Sequence, residues 1–213
     1  MTPMWSAGRL ASTARLDPAG ERRLLAAMRK LERVFLAGPD RFAPEAAFVQ
    51  ARQKALCEAA GLTAVMPPEA GEIGDDGELH ARAFFVETIA RLRSADALIA
   101  NFTPWRGPGA EPATAYLAGF AGALGKPVVA YMNVLDEAEA DHRDRVEGHL
   151  GAVLDEQGVW RDPDGARIED LGLPEAALLW AEARRFMVIV TDEPMEDVTG
   201  LELCLDALRL YAD

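Results

Sequence analysis

Short apolar runs alternate with segments of helical periodicity along most of this chain, the pattern of a parallel sheet whose strands are joined by helices. Residues 18–32 place Leu24, Leu25, Met28 and Leu31 on one side of a predicted helix that starts near Pro18. The apolar run 33–37 predicts the first strand, closed by Gly38 and Pro39. A second helix is expected over about 44–60, with Gly61 at its end. Residues 62–66 then read as a strand stopped by Pro67 and Pro68, and the acidic, glycine-bearing stretch 69–78 as a loop. The third helix spans roughly 80–93, with Phe84, Phe85, Ile89 and Leu92 on one side. After a turn at 94–96, residues 97–102 are almost continuously apolar, as the centre of a sheet covered on both faces requires.

The stretch 107–127 organises the rest of the chain. Gly107, Pro108 and Gly109 open a loop that carries one carboxylate, Glu111, and runs into a helix of small residues ending near Gly125. Lys126 and Pro127 lead into the apolar run 128–131. Strand, loop, helix, strand is the βαβ arrangement, and its ligand crevice lies at the carboxyl ends of the strands. Beyond Asn133 the regularity fades. Residues 136–149 are highly charged and read as a solvated helix or a mobile loop. A turn at 162–165 is expected to close a small hairpin between 158–160 and 166–168. Pro174 starts a helix over 175–184, residues 186–190 form a strand with no assigned place in the sheet, and 196–211 close the chain as an amphipathic helix. The expected fold is α/β and flavodoxin-like (Rossmann-like), a five-stranded parallel sheet flanked by helices. It occupies 33–213 as one domain, preceded by an extension, 1–32, that carries a helix.

Composition narrows the partners. The 213 residues are enough for a sizeable core, and 50% hydrophobic with 27% charged residues is ordinary for a globular protein. A net charge of −13 repels nucleic-acid backbones and anionic membrane surfaces, so neither is an expected partner. A neutral nucleoside is not affected. Cys57 and Cys204 lie far apart, with no cysteine or histidine at ligand spacing, which argues against a disulfide framework and for a reducing cytoplasm. No apolar run approaches the length needed to span a bilayer. Residues 1–16 lack acids and are faintly like a transit peptide, but a frayed N-terminus is the better expectation.

His80, His142 and His149 are scattered through polar stretches and are read as solvated, so no metal and no cofactor is expected. The glycines between 107 and 125 match neither the dinucleotide fingerprint nor a Walker A loop. Neither a serine nor a cysteine stands in a nucleophile elbow. Carboxylates remain as the candidate chemistry.

"VFLAGPDRF" over 34–42 and "ARAFFVETIARLRSADALIANFTPWRGPGAEPATAYLAGFAGALGKPVVAYMN" beyond it resemble the nucleoside 2-deoxyribosyltransferase family. The pairing of "SADALIANFTPWRG" with "GFAGALGKPV" at this spacing carries most of the resemblance, and "LGLPEAALLWAEAR" continues it weakly. The resemblance implies a flavodoxin-like fold, a homo-oligomer, and exchange of the base on a 2′-deoxynucleoside. That chemistry needs a glutamate nucleophile on the anomeric carbon, and groups that orient the sugar and protonate the departing base. The family's nucleophile falls on Leu117, which has no nucleophilic atom, and the carboxylate six residues earlier falls on Glu111. The family's glycine before its threonine falls on Ala113, its first-strand tyrosine on Phe35, and its helix Asn/Asp on Thr88, beside Glu87. An asparagine donated by a neighbouring subunit falls near Ala176.

The resemblance therefore implies a crevice that has lost its polar lining and gained an apolar floor at Leu117. Its candidate ligand contacts are Phe35, Gly38, Pro39, Thr88, Asn101, Glu111 and Leu117, and its candidate catalytic residue is Glu111. Glu111 serves equally as a carboxylate favoured by the dipole at a helix start. Asn101 and Thr103 are as well suited to turn formation as to a ligand, and Asp96 is read as a cap. Trp105 would stack on a base or pack on a partner subunit, and Arg106 fixes the loop or an interface. The leading expectation is a protein that binds a nucleoside or nucleotide-type small molecule without turnover. One alternative is an active deoxyribosyltransferase or N-glycosidase with its chemistry on Glu111 or Glu87. The other is a structural or interaction subunit. A lysine-decarboxylase-like phosphoribohydrolase would need Pro-Gly-Gly-x-Gly-Thr and paired glutamates, which this loop does not supply.

Overall fold

The computed structural model describes residues 31–69 and 76–210. The predicted helix over 18–32 lies outside the described residues except at its last two positions, as does most of the extension 1–32. Five parallel strands form the main sheet: β1 (Arg33–Ala37), β2 (Thr63–Val65), β3 (Ala97–Asn101), β4 (Val128–Val134) and β7 (Phe186–Val190), in the order β2-β1-β3-β4-β7. Strands β5 (Val153–Leu154) and β6 (Trp160–Arg161) make a separate antiparallel pair. The helices are α1 (Ala46–Ala59), α2 (Gly77–Ser94), α3 (Pro112–Ala123), α4 (His142–Leu150), α5 (Ala177–Glu182) and α6 (Thr199–Arg209). This is the expected flavodoxin-like arrangement, and β7 finds its place at the edge beside β4.

Alternation along the strands builds two cores. Phe35, Ala37, Leu98, Ala100, Val128 and Ala130 face α2 and α3, where Ile89, Leu92, Leu117, Ala118 and Ala121 meet them. Val34, Leu36, Ala97, Ile99, Val129 and Tyr131 face α1 and α6, meeting Cys57, Leu201, Cys204, Leu205 and Leu208. Every residue of β3 and β4 is buried, which explains why those stretches read as continuous apolar runs. Both cysteines are free and buried in the second core, where burial pushes the Cys57 thiol up to about 11 and raises Cys204 further.

Local chemistry sets the boundaries. Helix α2 starts three residues before the expected position because Asp76 caps it, accepting a bond from the Leu79 N–H at 3.0 Å. Gly61 follows α1 at φ 78°, a left-handed turn suited to glycine. Asp96 Oδ2 accepts from the N–H groups of Glu32 and Arg33, both at 2.9 Å, and so ties the start of β1 to the start of β3. Its role is structural.

Three expectations change. The segment 136–149 is not a mobile loop, and as a helix it is only partly solvated: a 3-10 turn (Glu137–Ala140) leads into α4, whose Arg145 and Val146 are buried. Val146 packs with Ala152, Ile168 and Trp160 in a small satellite core. The hairpin pairs 153–154 with 160–161, and the expected 158–160/166–168 pairing shrinks to an Arg161–Arg167 bridge and a 2.9 Å bond from the Ile168 N–H to the Trp160 carbonyl. Strand β4 runs to Val134 rather than ending at 131, because Asn133 and Val134 pair with Ile189 and Val190. No helix among the described residues is long and apolar enough to cross a membrane.

Leu92 has no exposed surface and anchors α2 on the sheet. Leu92→Ala should lower unfolding free energy by about 2–5 kcal/mol, whereas Val86→Ala, on the exposed side of the same helix, should change it by less than about 0.5 kcal/mol. Urea denaturation of the two variants measures both.

Candidate functional site

In this strand order the chain winds away in opposite directions from β1 and β3, which opens a crevice at their carboxyl ends. A line of buried polar groups runs along that edge. Gln53 on α1 donates to Asp40 Oδ2 at 2.8 Å, and Asn101, the last residue of β3, donates to Asp40 Oδ1 at 3.1 Å. Asn101 Oδ1 accepts from the Thr103 N–H at 3.0 Å and from its hydroxyl at 2.5 Å. The Thr103 hydroxyl accepts in turn from the Asn133 N–H at 3.0 Å, and the Asn133 amide donates to the carbonyls of Pro194 and Asp197. Gly38 permits this approach of β1 to β3, since a Cβ there would stand 2.7 Å from Asn101 Cβ and strike the Asp40 carboxylate.

Two adjoining cavities of about 620 Å³ and 200 Å³ lie along this edge. The smaller one lies against the start of α3. Glu111 caps that helix ahead of Pro112, its Oε2 accepting from the Thr114 N–H at 2.7 Å and the Thr114 hydroxyl at 2.8 Å. Glu111 is 8% exposed, and no other acid lines the smaller cavity among the described residues. Leu117, 6% exposed, stands on the wall of the same cavity. Opposite, Thr88 is buried with its hydroxyl unpartnered among the described residues.

The structure thus brings Gly38, Thr88, Glu111 and Leu117 to the smaller cavity and Gly38 and Asn101 to the larger one. Phe35 does not join them: it is fully buried in the core beneath α2 and lines neither cavity. Pro39 is also buried and lines neither. Glu87 turns outward into a 2.9 Å ion pair with Arg91 and lies outside both cavities. His80 lines the larger cavity rather than open surface, and His142 Nδ1 sits 3.3 Å from the buried Glu175; only His149 is exposed as expected.

Reading the sequence missed Asp40, Arg41, Arg145 and Glu175. Arg41 lines both cavities, with its guanidinium carbon 4.3 Å from the Phe42 ring centre and 5.2 Å from that of Phe84. Burial lowers its pKa, against the opposing pull of Glu111 and Asp40. Its signal was adjacency, since Asp40 and Arg41 directly follow the turn at Gly38 and Pro39. Arg145 and Glu175 clamp the loop before α3. Arg145 donates to the carbonyls of Pro108 at 2.7 Å, Glu139 at 2.8 Å and Pro174 at 2.6 Å. Glu175, 2% exposed, accepts from the Ala110 N–H at 3.1 Å and lies 3.4 Å from Arg145. Trp105 stacks on Phe42 of its own chain, ring centres 5.5 Å apart, and Arg106, at φ 54°, lies over the Trp105 ring.

A family model described as nucleoside 2-deoxyribosyltransferase matches residues 34–178. The chain belongs to that family. Among solved structures, the 2-desoxiribosyltransferase from Leishmania mexicana is similar with a TM-score of 0.59 at 22% identity, over 82% of this chain and 97% of that one. A 2-deoxyribosyltransferase from the psychrotolerant Bacillus psychrosaccharolyticus matches 47% of this chain and 72% of its own at 23% identity and a TM-score of 0.38. A conserved protein from Enterococcus faecalis V583 matches 84% and 98% at 15% identity and a TM-score of 0.45. A comparison with curated proteins gave no match. Both the family model and the Leishmania fold agree with the α/β architecture described above.

In this deoxyribosyltransferase-family scaffold the Arg145–Glu175 clamp fixes the loop that presents Glu111. Arg145→Ala should cost about 3–5 kcal/mol, because it leaves the Glu175 carboxylate buried without its cation. Chemical denaturation measures that loss, and hydrogen exchange should speed up at the Ala110 amide.

Proposed function

We propose that the crevice binds a nucleoside-type small molecule without transferring its sugar. One observation carries the reading: α3 presents Leu117 to the smaller cavity, where the family's chemistry would need a nucleophile, and Glu111 is the lone acid on that wall among the described residues. Covalent glycosyl transfer needs a nucleophile at the anomeric carbon and a second group to protonate the leaving base. A single carboxylate, half committed to capping α3, does not supply both. Leu117 suits apolar contact with a sugar or base face, and the unpartnered Thr88 hydroxyl suits a bond to a ligand hydroxyl. A cavity of about 620 Å³ with a 200 Å³ annex is of the size that small ligands occupy. In this reading the protein is a homo-oligomer, as the exposed Phe85 and Tyr116 at the smaller cavity suggest, and its two buried thiols suit a reducing cytoplasm.

A second reading rests on the free oxygen of Glu111. Its Oε1 accepts no hydrogen bond among the described residues, which leaves it able to activate water as the base of an N-glycosidase. Glu87 does not serve this alternative, being ion-paired outside the cavities.

Incubation with 2′-deoxyinosine and adenine separates the two. The expected result is binding by calorimetry with neither free hypoxanthine nor 2′-deoxyadenosine on chromatography. Release of base that disappears in Glu111→Ala would overturn the binding-only reading. Leu117→Glu should introduce base exchange into the inert protein, detected as 2′-deoxyadenosine formed from 2′-deoxyinosine.

A further inference from the structure

We propose that Arg41 selects the base of the bound ligand, with its guanidinium fork donating to the O6 and N7 acceptors of a 6-oxopurine. The assignment rests on the nucleoside-binding reading above and names the ligand within it. Arg41 stands where the two cavities meet, so a ligand that spans them must pass its side chain. Among the described residues no hydrogen bond or ion pair holds its guanidinium; what touches it are the rings of Phe42 and Phe84. The donors of a guanidinium lie in its plane, and contact with a ring leaves them available.

The two carboxylates nearest in charge do not take those donors. Both Asp40 oxygens are occupied, by the Gln53 and Asn101 amides, and Glu111 Oε2 is held by Thr114. A half-buried cation with unsatisfied in-plane donors calls for a pair of acceptors from the ligand. Charge decides which pair. Among the described residues three carboxylates, Asp40, Glu69 and Glu111, and one guanidinium line the two cavities, in a protein of net charge −13, so a phosphate dianion is disfavoured relative to a neutral acceptor edge.

Among neutral bases, guanine and hypoxanthine present O6 and N7 side by side, the geometry a guanidinium meets with two parallel bonds. Adenine presents an amino group in place of O6 and would set donor against donor. A pyrimidine with a 4-oxo group offers one acceptor there. The same planar base would extend over the aromatic lining at Phe84.

Calorimetric titration with 2′-deoxyguanosine, 2′-deoxyinosine, 2′-deoxyadenosine, 7-deaza-2′-deoxyguanosine and 2′-deoxyguanosine 5′-monophosphate tests this. The two 6-oxopurine nucleosides should bind roughly 10- to 100-fold more tightly than 2′-deoxyadenosine, and loss of N7 should weaken 2′-deoxyguanosine roughly tenfold. Arg41→Met, which keeps the stem against the rings, should level the series. Arg41→Lys should restore only part of the preference. The 7-deaza comparison needs no variant, so it stands if either substitution unfolds the protein. Nucleosides that bind without base preference, or a preference unchanged in Arg41→Met, would overturn the Arg41 assignment and leave the nucleoside crevice standing. Monophosphates that bind far more tightly whatever their base, through Arg41, would replace the base by a phosphate. Absence of binding by any of these compounds would overturn the crevice reading itself, and Arg41 with it.

Discussion

The buried Asp40 carboxylate at the end of β1 is the constraint on which the rest of the site depends. It lies 6% exposed and accepts one amide from α1 and one from the last residue of β3. An unpaired carboxylate at that depth would be strongly disfavoured, so Gln53 and Asn101 must stay where they are. Asn101 then fixes Thr103, Thr103 fixes Asn133, and the Asn133 amide fixes the chain beyond β7 at Pro194 and Asp197. Each member satisfies the next, so the carboxyl edge of β1, β3 and β4 acts as one unit. A consequence reaches the crevice directly. Because amides rather than a guanidinium occupy the Asp40 oxygens, Arg41 faces the cavities with its donors uncommitted.

A second buried charge organises the other wall. Arg145 on α4 reaches three carbonyls in separate segments, and Glu175 receives the Ala110 N–H from the loop ahead of α3. The charged insertion between β4 and β7 is therefore a strut for the loop that delivers Glu111. Buried ion pairs of this kind contribute less to net stability than to defining one arrangement over its competitors, and a Gly-Pro-Gly loop has many competitors. The stacked pair Trp105–Phe42 closes the same loop onto the turn after β1, which joins both walls of the crevice.

Local pattern revealed the fold where local pattern determines it. The apolar runs at 33–37, 97–102 and 128–131 were legible because strands covered on both faces are apolar but for a residue at an end, such as Arg33 or Asn101, and the winding of helices between them set the sheet as parallel. The place of β7 was not legible, since 186–190 is as apolar as any edge or central strand and only its pairing with β4 decides. The candidate site divides in the same way. Glu111, Leu117 and Thr88 could be singled out because the motifs around them resemble the family's, and the geometry gathers them at one cavity. Phe35 failed because alternation points it into the core beneath α2, two residues before β1 reaches the crevice. Arg145 and Glu175 were hidden for a different reason. A charge in a charged segment reads as solvated, and a bond spanning 30 residues leaves no trace in local periodicity.

The presence of Glu111 at the start of α3 has a physical account that does not involve catalysis. At the first turn of α3 a carboxylate satisfies a backbone N–H that would otherwise be buried without a partner, and it also sits in the favourable field of the helix terminus. It adds negative potential at Arg41 as well, offsetting part of the cost of burying that cation. A scaffold that had ceased to transfer sugars would therefore still keep an acid at 111. No such structural demand applies to position 117, which lies mid-helix on the cavity wall, where a leucine packs more favourably than a carboxylate without a partner. Glu111 is thus compatible with either chemistry or none, so the proposed function rests on Leu117.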